Sequence, residues 1–107
     1  MFNINKTPTF TVQVPIVIDG IDEPMSLRAT FRAVSDDELL AAESRSIEGF
    51  KAFLRRITVQ LHDLENDEGK PVAFTPELFE ELLGQAHVRV ALQAAFWKAM
   101  LKARVGN

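Results

Sequence analysis

At 107 residues and 12.0 kDa the chain has material for one domain, and folding at this size buries roughly two thirds of the unfolded surface, enough for a core without staples. With 47% apolar and 25% charged residues it is neither disordered nor membrane-spanning in composition. The lack of cysteine excludes disulfides, thiolate nucleophiles, Cys-ligated zinc and iron–sulfur clusters, two histidines without any tyrosine leave few acid–base groups, and a net charge of −3 with a pI near 5.3 points away from nucleic acid.

The opening Met1-Phe2-Asn3-Ile4-Asn5-Lys6 has no basic start followed by an apolar run, so no secretory signal is expected. No stretch approaches the ~18 uninterrupted apolar residues of a membrane helix. A cytoplasmic setting is the expectation, with neither a membrane nor nucleic acid as partner.

From Thr9 to Ile18 apolar residues alternate as Phe10, Val12, Val14, Ile16 and Ile18, against Thr9, Thr11 and Gln13. Period two with β-branched residues predicts a half-buried strand. Pro15 lacks a ladder donor and places that strand at a sheet edge or ends it. Asp19-Gly20 signals a turn, and alternation resumes from Met25 through Leu27, Ala29, Phe31 and Ala33. Together these segments predict an antiparallel β-hairpin over about 9–34, with one apolar face that the following helices must cover.

Ser35-Asp36-Asp37-Glu38 fits a capping box, so a short helix should run from about Asp36 to Glu43 with Leu39 and Leu40 facing inward. Ile47, Phe50, Phe53, Leu54, Ile57, Leu61 and Leu64 then fall on one helical face and predict a long second helix. A polar loop over 66–71 ends it. Thr75-Pro76-Glu77 restarts a helix, which Gly84 should close in the left-handed conformation. A last helix should run from about Ala86 to Arg104. The fold class is α+β, a single domain with an N-terminal hairpin packed against a bundle of about four helices in residues 35–105.

The last helix carries two apolar stripes. Val88, Leu92, Ala95, Phe96, Ala99 and Ala103 form one; Val90, Ala94, Trp97, Leu101 and Val105 form a second, nearly opposite. A surface helix needs only one. Either the helix is sandwiched inside its own domain or its second stripe is simply partly exposed, or Val90, Trp97 and Leu101 belong to a partner or self-association surface. Arg89, Lys98, Lys102 and Arg104 give this end a basic flank, with no acid after Glu81. Such a flank suits an acidic partner or a membrane surface; a solvated flank that matches the helix dipole is its usual meaning.

Catalytic and metal chemistry finds little to work with. Counted from Asp63, acids fall at positions one, three and five as in a calcium loop, but the glycine comes at seven and position twelve is Phe74. His62 and His87 each lack a second ligand one helical turn away, so hydrogen-bonded structural roles are expected and no metal or cofactor. Glu77, Glu80 and Glu81 are accounted for by the helix dipole before paired-carboxylate chemistry is needed. No phosphate-cradling glycine loop or nucleophile elbow occurs. The expectation is a protein without enzymatic activity.

Several segments, in order, cover nearly the whole chain: Lys6-Thr7-Pro8-Thr9-Phe10, then Ala52-Phe53-Leu54-Arg55-Arg56-Ile57, then the acidic turn from Asp63 to Val72. Phe74-Thr75-Pro76-Glu77, the Leu82-Leu83 pair and the run from Val88 to Phe96 complete the series. In these segments and their order the chain resembles the small tail assembly chaperones of tailed bacteriophages and prophages. Similar sequences often carry a glycine–tryptophan pair before the acidic turn, where this one has Gln60-Leu61-His62. The resemblance implies a non-catalytic protein of the bacterial host cytoplasm, absent from the mature virion. It would bind the tape measure protein, keep it soluble and promote assembly of tail tube subunits around it, which makes the tail tube protein a second expected partner. The alternative within the same setting is a minor structural tail component or adaptor protein of the virion; a small nucleic-acid-binding regulator is a third reading.

Overall fold

The structure is a computed structural model that describes residues 3–4, 6–20, 25–42 and 45–104, with side chains except at 41 and 102–104. Strand β1 (Thr9–Ile16) pairs antiparallel with β2 (Met25–Arg32) in unbroken register, from Thr9 opposite Arg32 to Ile16 opposite Met25. The Ala33 N–H donates to the Pro8 carbonyl at 2.9 Å. This sets the phase of the ladder, because bonded and non-bonded pairs alternate. Thr9, Thr11, Gln13 and Pro15 therefore turn their backbone groups to the free edge. Pro15 sits where its missing N–H costs no ladder bond.

Helix α1 (Asp36–Ala41) starts on the expected capping box: Glu38 N–H donates to Ser35 Oγ at 3.2 Å and Ser35 N–H to Glu38 Oε1 at 3.3 Å. The helix is shorter than expected. Leu39 reaches the core, but Leu40 is 85% exposed and not inward-facing. Glu43 lies outside the described residues.

The long second helix divides in two. Helix α2 (Ile47–Ile57) is capped by Ser46, and the chain then becomes strand β3 (Thr58–His62), which adds antiparallel to β2 and makes the sheet three-stranded in the order β1-β2-β3. Arg28 lies opposite His62, Ala29 opposite Leu61 and Thr30 opposite Gln60, but Phe31 lies opposite Thr58. Val59 is thus the extra residue of a β-bulge. The bulge puts inward-facing Thr58 and Leu61 three apart, a spacing that imitates one face of a helix. Ile47, expected on that face, is 59% exposed. His62 therefore lies on a strand and not on a helix; its Nε2 pairs with Thr30 Oγ1 at 2.8 Å.

The acidic turn closes through a bridge between Glu65 and Pro71, and Asn66 Oδ1 accepts from the N–H groups of Glu68 and Lys70. Asp63 enters it with a positive φ of 63° and receives both a Nε bond at 2.7 Å and a Nη2 bond at 3.2 Å from Arg28.

Helix α3 (Pro76–Leu83) begins at the Thr75 cap with Pro76 in the first position. Gly84 closes it in the right-handed region, φ −70°, and not in the left-handed one. Its N–H is shared between the carbonyls of Glu80 and Glu81 at 3.2 Å each, which tightens the last turn and lets α4 (Ala86–Arg104) follow at once. Arg55 on α2 grips Glu80 on α3 with two 2.7 Å bonds.

The core lies between the sheet and the helices. Val14, Leu27, Ala29, Phe31 and Leu61 from the sheet meet Leu54 and Ile57 of α2, Leu83 of α3, and Leu92 and Phe96 of α4. Phe96 is its hub, with ring centroids 5.5 Å from Phe31, 5.7 Å from Phe53 and 6.1 Å from Phe10. The opposite sheet face is polar. Thr11 and Thr30 hydroxyls meet at 2.8 Å across a non-bonded pair, where side chains stand closest.

Candidate interaction surface of helix α4

Helix α4 lies along β1 and against α2 and α3. Its sequence dictates which face goes inward. Val88, Leu92, Ala95 and Phe96 recur at three- and four-residue steps and are all buried. Most surface helices place polar residues on the other side, but here that side repeats Val90, Ala94, Trp97 and Leu101. Val90 and Leu101 are each 61% exposed, Trp97 is 38% exposed and Ala94 is exposed. Four of the five residues of the second stripe thus form one outward apolar seam; Val105 lies outside the described residues.

Trp97 bounds the seam on the α2 side. Its indole stacks on Phe53 with centroids 6.5 Å apart and planes 15° from parallel, and meets the edge of Phe96 at 5.7 Å. On the β1 side the helix presents four alanines, with Lys98 on the wall. Ala91, Ala94, Ala95 and Ala99 leave a trough of about 340 Å³ against Val12 and Pro15. It continues past Pro15 into a second hollow of about 460 Å³ beneath Val17, Ala86, His87 and Val90. The second stripe is legible in the angular spacing of α4, but its exposure is not; nor is the trough, because it depends on where Pro15 and Val17 pass the helix.

The basic flank divides by role. Arg89 is tied into the fold: its Nη1 donates to the Leu83 carbonyl at 2.8 Å and its guanidinium sits 6.0 Å from the Phe50 ring centre. Lys98 is exposed on the trough wall and makes no hydrogen bond or ion pair among the described residues. His87 is half-buried at the helix start.

Among the described residues the arrangement offers exposed nonpolar area, a flat aromatic and the exposed cation of Lys98. Among the described residues no cluster of three or more His, Asp or Glu side chains could hold a metal ion. No helix among them is long and apolar enough to cross a membrane. Set against family models, curated proteins and solved structures, the chain matches none of them.

Proposed function

We propose that the chain is a tail assembly chaperone of a tailed phage or prophage, which holds the tape measure protein soluble until tube subunits enclose it. One observation carries the reading: α4 turns a continuous apolar seam, Val90 to Leu101, away from its own core. A monomer gains nothing from exposing Val90, Trp97 and Leu101 in one line, whereas a binding protein needs such a line. A long helical client with its own apolar stripe would aggregate unless covered. Helix-on-helix contact along the seam covers it. Many copies along one client let modest affinity per copy suffice. The order of sequence segments from Lys6 to Phe96 supports the same reading by resemblance.

The test is co-expression with a tape measure fragment. The expected result is a rise in the fragment's soluble fraction and a complex that co-elutes on gel filtration. A fragment that stays insoluble, with the small protein eluting alone, would overturn the reading. Mass spectrometry of purified particles separates it from the structural-component reading, since a chaperone is missing from them.

A further inference from the structure

The seam residues Val90, Ala94, Trp97 and Leu101 are separated by steps of four, three and four. At this spacing one helix meets another along a shared line. The line spans about 16 Å at 1.5 Å per residue. Ala94 lies within it and lets a partner backbone come close, while Trp97 and Leu101 supply the larger knobs.

The charged side chains of α4 itself have a single sign. After Glu81 the sequence has no acid, yet it holds Arg89, Lys98, Lys102 and Arg104. Arg89 is occupied by the Leu83 carbonyl and the Phe50 ring. Lys98 is the exposed cation on the trough wall without a partner among the described residues. A second copy laid along the seam would bring the same cations and no carboxylate from its own α4, so like charge would meet like. The complementary surface is a helix that carries its own apolar stripe between acidic flanks.

We infer that the α4 seam takes an amphipathic partner helix whose apolar stripe is bordered by aspartate or glutamate, with Lys98 as the cation that selects it. This rests on the client-binding reading above and specifies the client's chemistry. The stripe supplies affinity through buried area, and the carboxylate at Lys98 supplies orientation and partner choice.

The test uses the full chain and Trp97, its single tryptophan, as reporter. Two tryptophan-free synthetic helices of about three heptads carry the same leucine stripe. One has glutamate on both flanks and the other lysine. The glutamate peptide is expected to shift Trp97 emission to the blue and to bind about tenfold more tightly than the lysine peptide at low salt. That preference should shrink as salt rises. Lys98→Glu should abolish or invert it, and Leu101→Ser should weaken both peptides; each variant is checked by its melting curve. Equal affinity for the two peptides, no binding of the glutamate peptide, or a preference that survives Lys98→Glu would overturn the inference. So would a self-associated chain that Leu101→Ser converts to monomer, since a second copy would then be the occupant. A tape measure fragment captured by a protein that ignores both peptides sinks this inference and leaves the chaperone reading standing. The glutamate peptide bound and the fragment refused does the reverse.

Discussion

The indole of Trp97 lies over Phe53, centroids 6.5 Å apart and planes 15° from parallel, while 38% of Trp97 stays open to solvent. One side chain therefore closes the aromatic cluster around Phe96 with its inner face and widens the outward seam with the other. Stability and binding meet at this residue, and substitutions can separate them.

Trp97→Ala should cost about 1–2 kcal/mol in urea denaturation, the worth of one stacked aromatic contact with partial burial. Phe96→Ala, which empties the fully buried hub, should cost about 3–5 kcal/mol. Client capture should fall further with Trp97→Ala than its stability loss explains. A cost equal to that of Phe96→Ala would make Trp97 a core residue first.

Val90→Ser and Leu101→Ser change side chains outside the buried core, each 61% exposed. Each should leave unfolding free energy within about 0.5 kcal/mol of the parent. Together they should reduce client co-elution sharply. Unchanged co-elution would move the binding surface elsewhere.

Thr58 shows a conflict inside the sheet. It is 8% exposed, and its Oγ1 is buried without a hydrogen-bond partner among the described residues. Thr58→Val keeps the β-branched shape and the backbone bond from Thr58 N–H to the Leu54 carbonyl that ends α2. It should raise stability by about 1 kcal/mol. A loss of stability would mean that the hydroxyl is satisfied by water.

The two bonds from Arg55 hold the Glu80 carboxyl below the ordinary value of 4.5, with burial opposing and the guanidinium charge assisting. A carboxylate lowered in the folded state stabilises above its unfolded value, and that contribution is lost as pH falls through the folded value. A double-mutant cycle of Arg55→Ala and Glu80→Ala should show favourable coupling near neutral pH. The coupling should vanish once pH lies well below 4.5. Coupling that persists in acid would contradict the pairing. Since both groups face solvent, added salt should also weaken it.

The hairpin, the Ser35 capping box and the Thr75-Pro76 start were legible because each depends on neighbours in sequence. Strand β3 was not. The bulge at Val59 places Thr58 and Leu61 three apart, so the run from Ile57 to Leu64 reads as a helix face until β2 is there to pair with it. Gly84 misled for a related reason: a glycine after a helix suggests a left-handed cap, but α4 restarts at Ala86 and the chain stays right-handed. Leu40 followed helical periodicity, yet α1 is too short and too peripheral to bury both leucines. The second stripe of α4 was legible as geometry from its angular spacing. Whether the second stripe met protein or solvent depended on where α2 and β1 stop, which no local pattern encodes.

Photo-crosslinking tests most directly whether the α4 seam is the binding surface. A photoreactive residue replaces Leu101 in one protein and Gln60, exposed on strand β3, in another, each co-expressed with a tape measure fragment. Strong crosslinks to the fragment are expected from position 101 and none from position 60. Crosslinks from position 60 alone, or equally from both, would contradict a binding role for the seam.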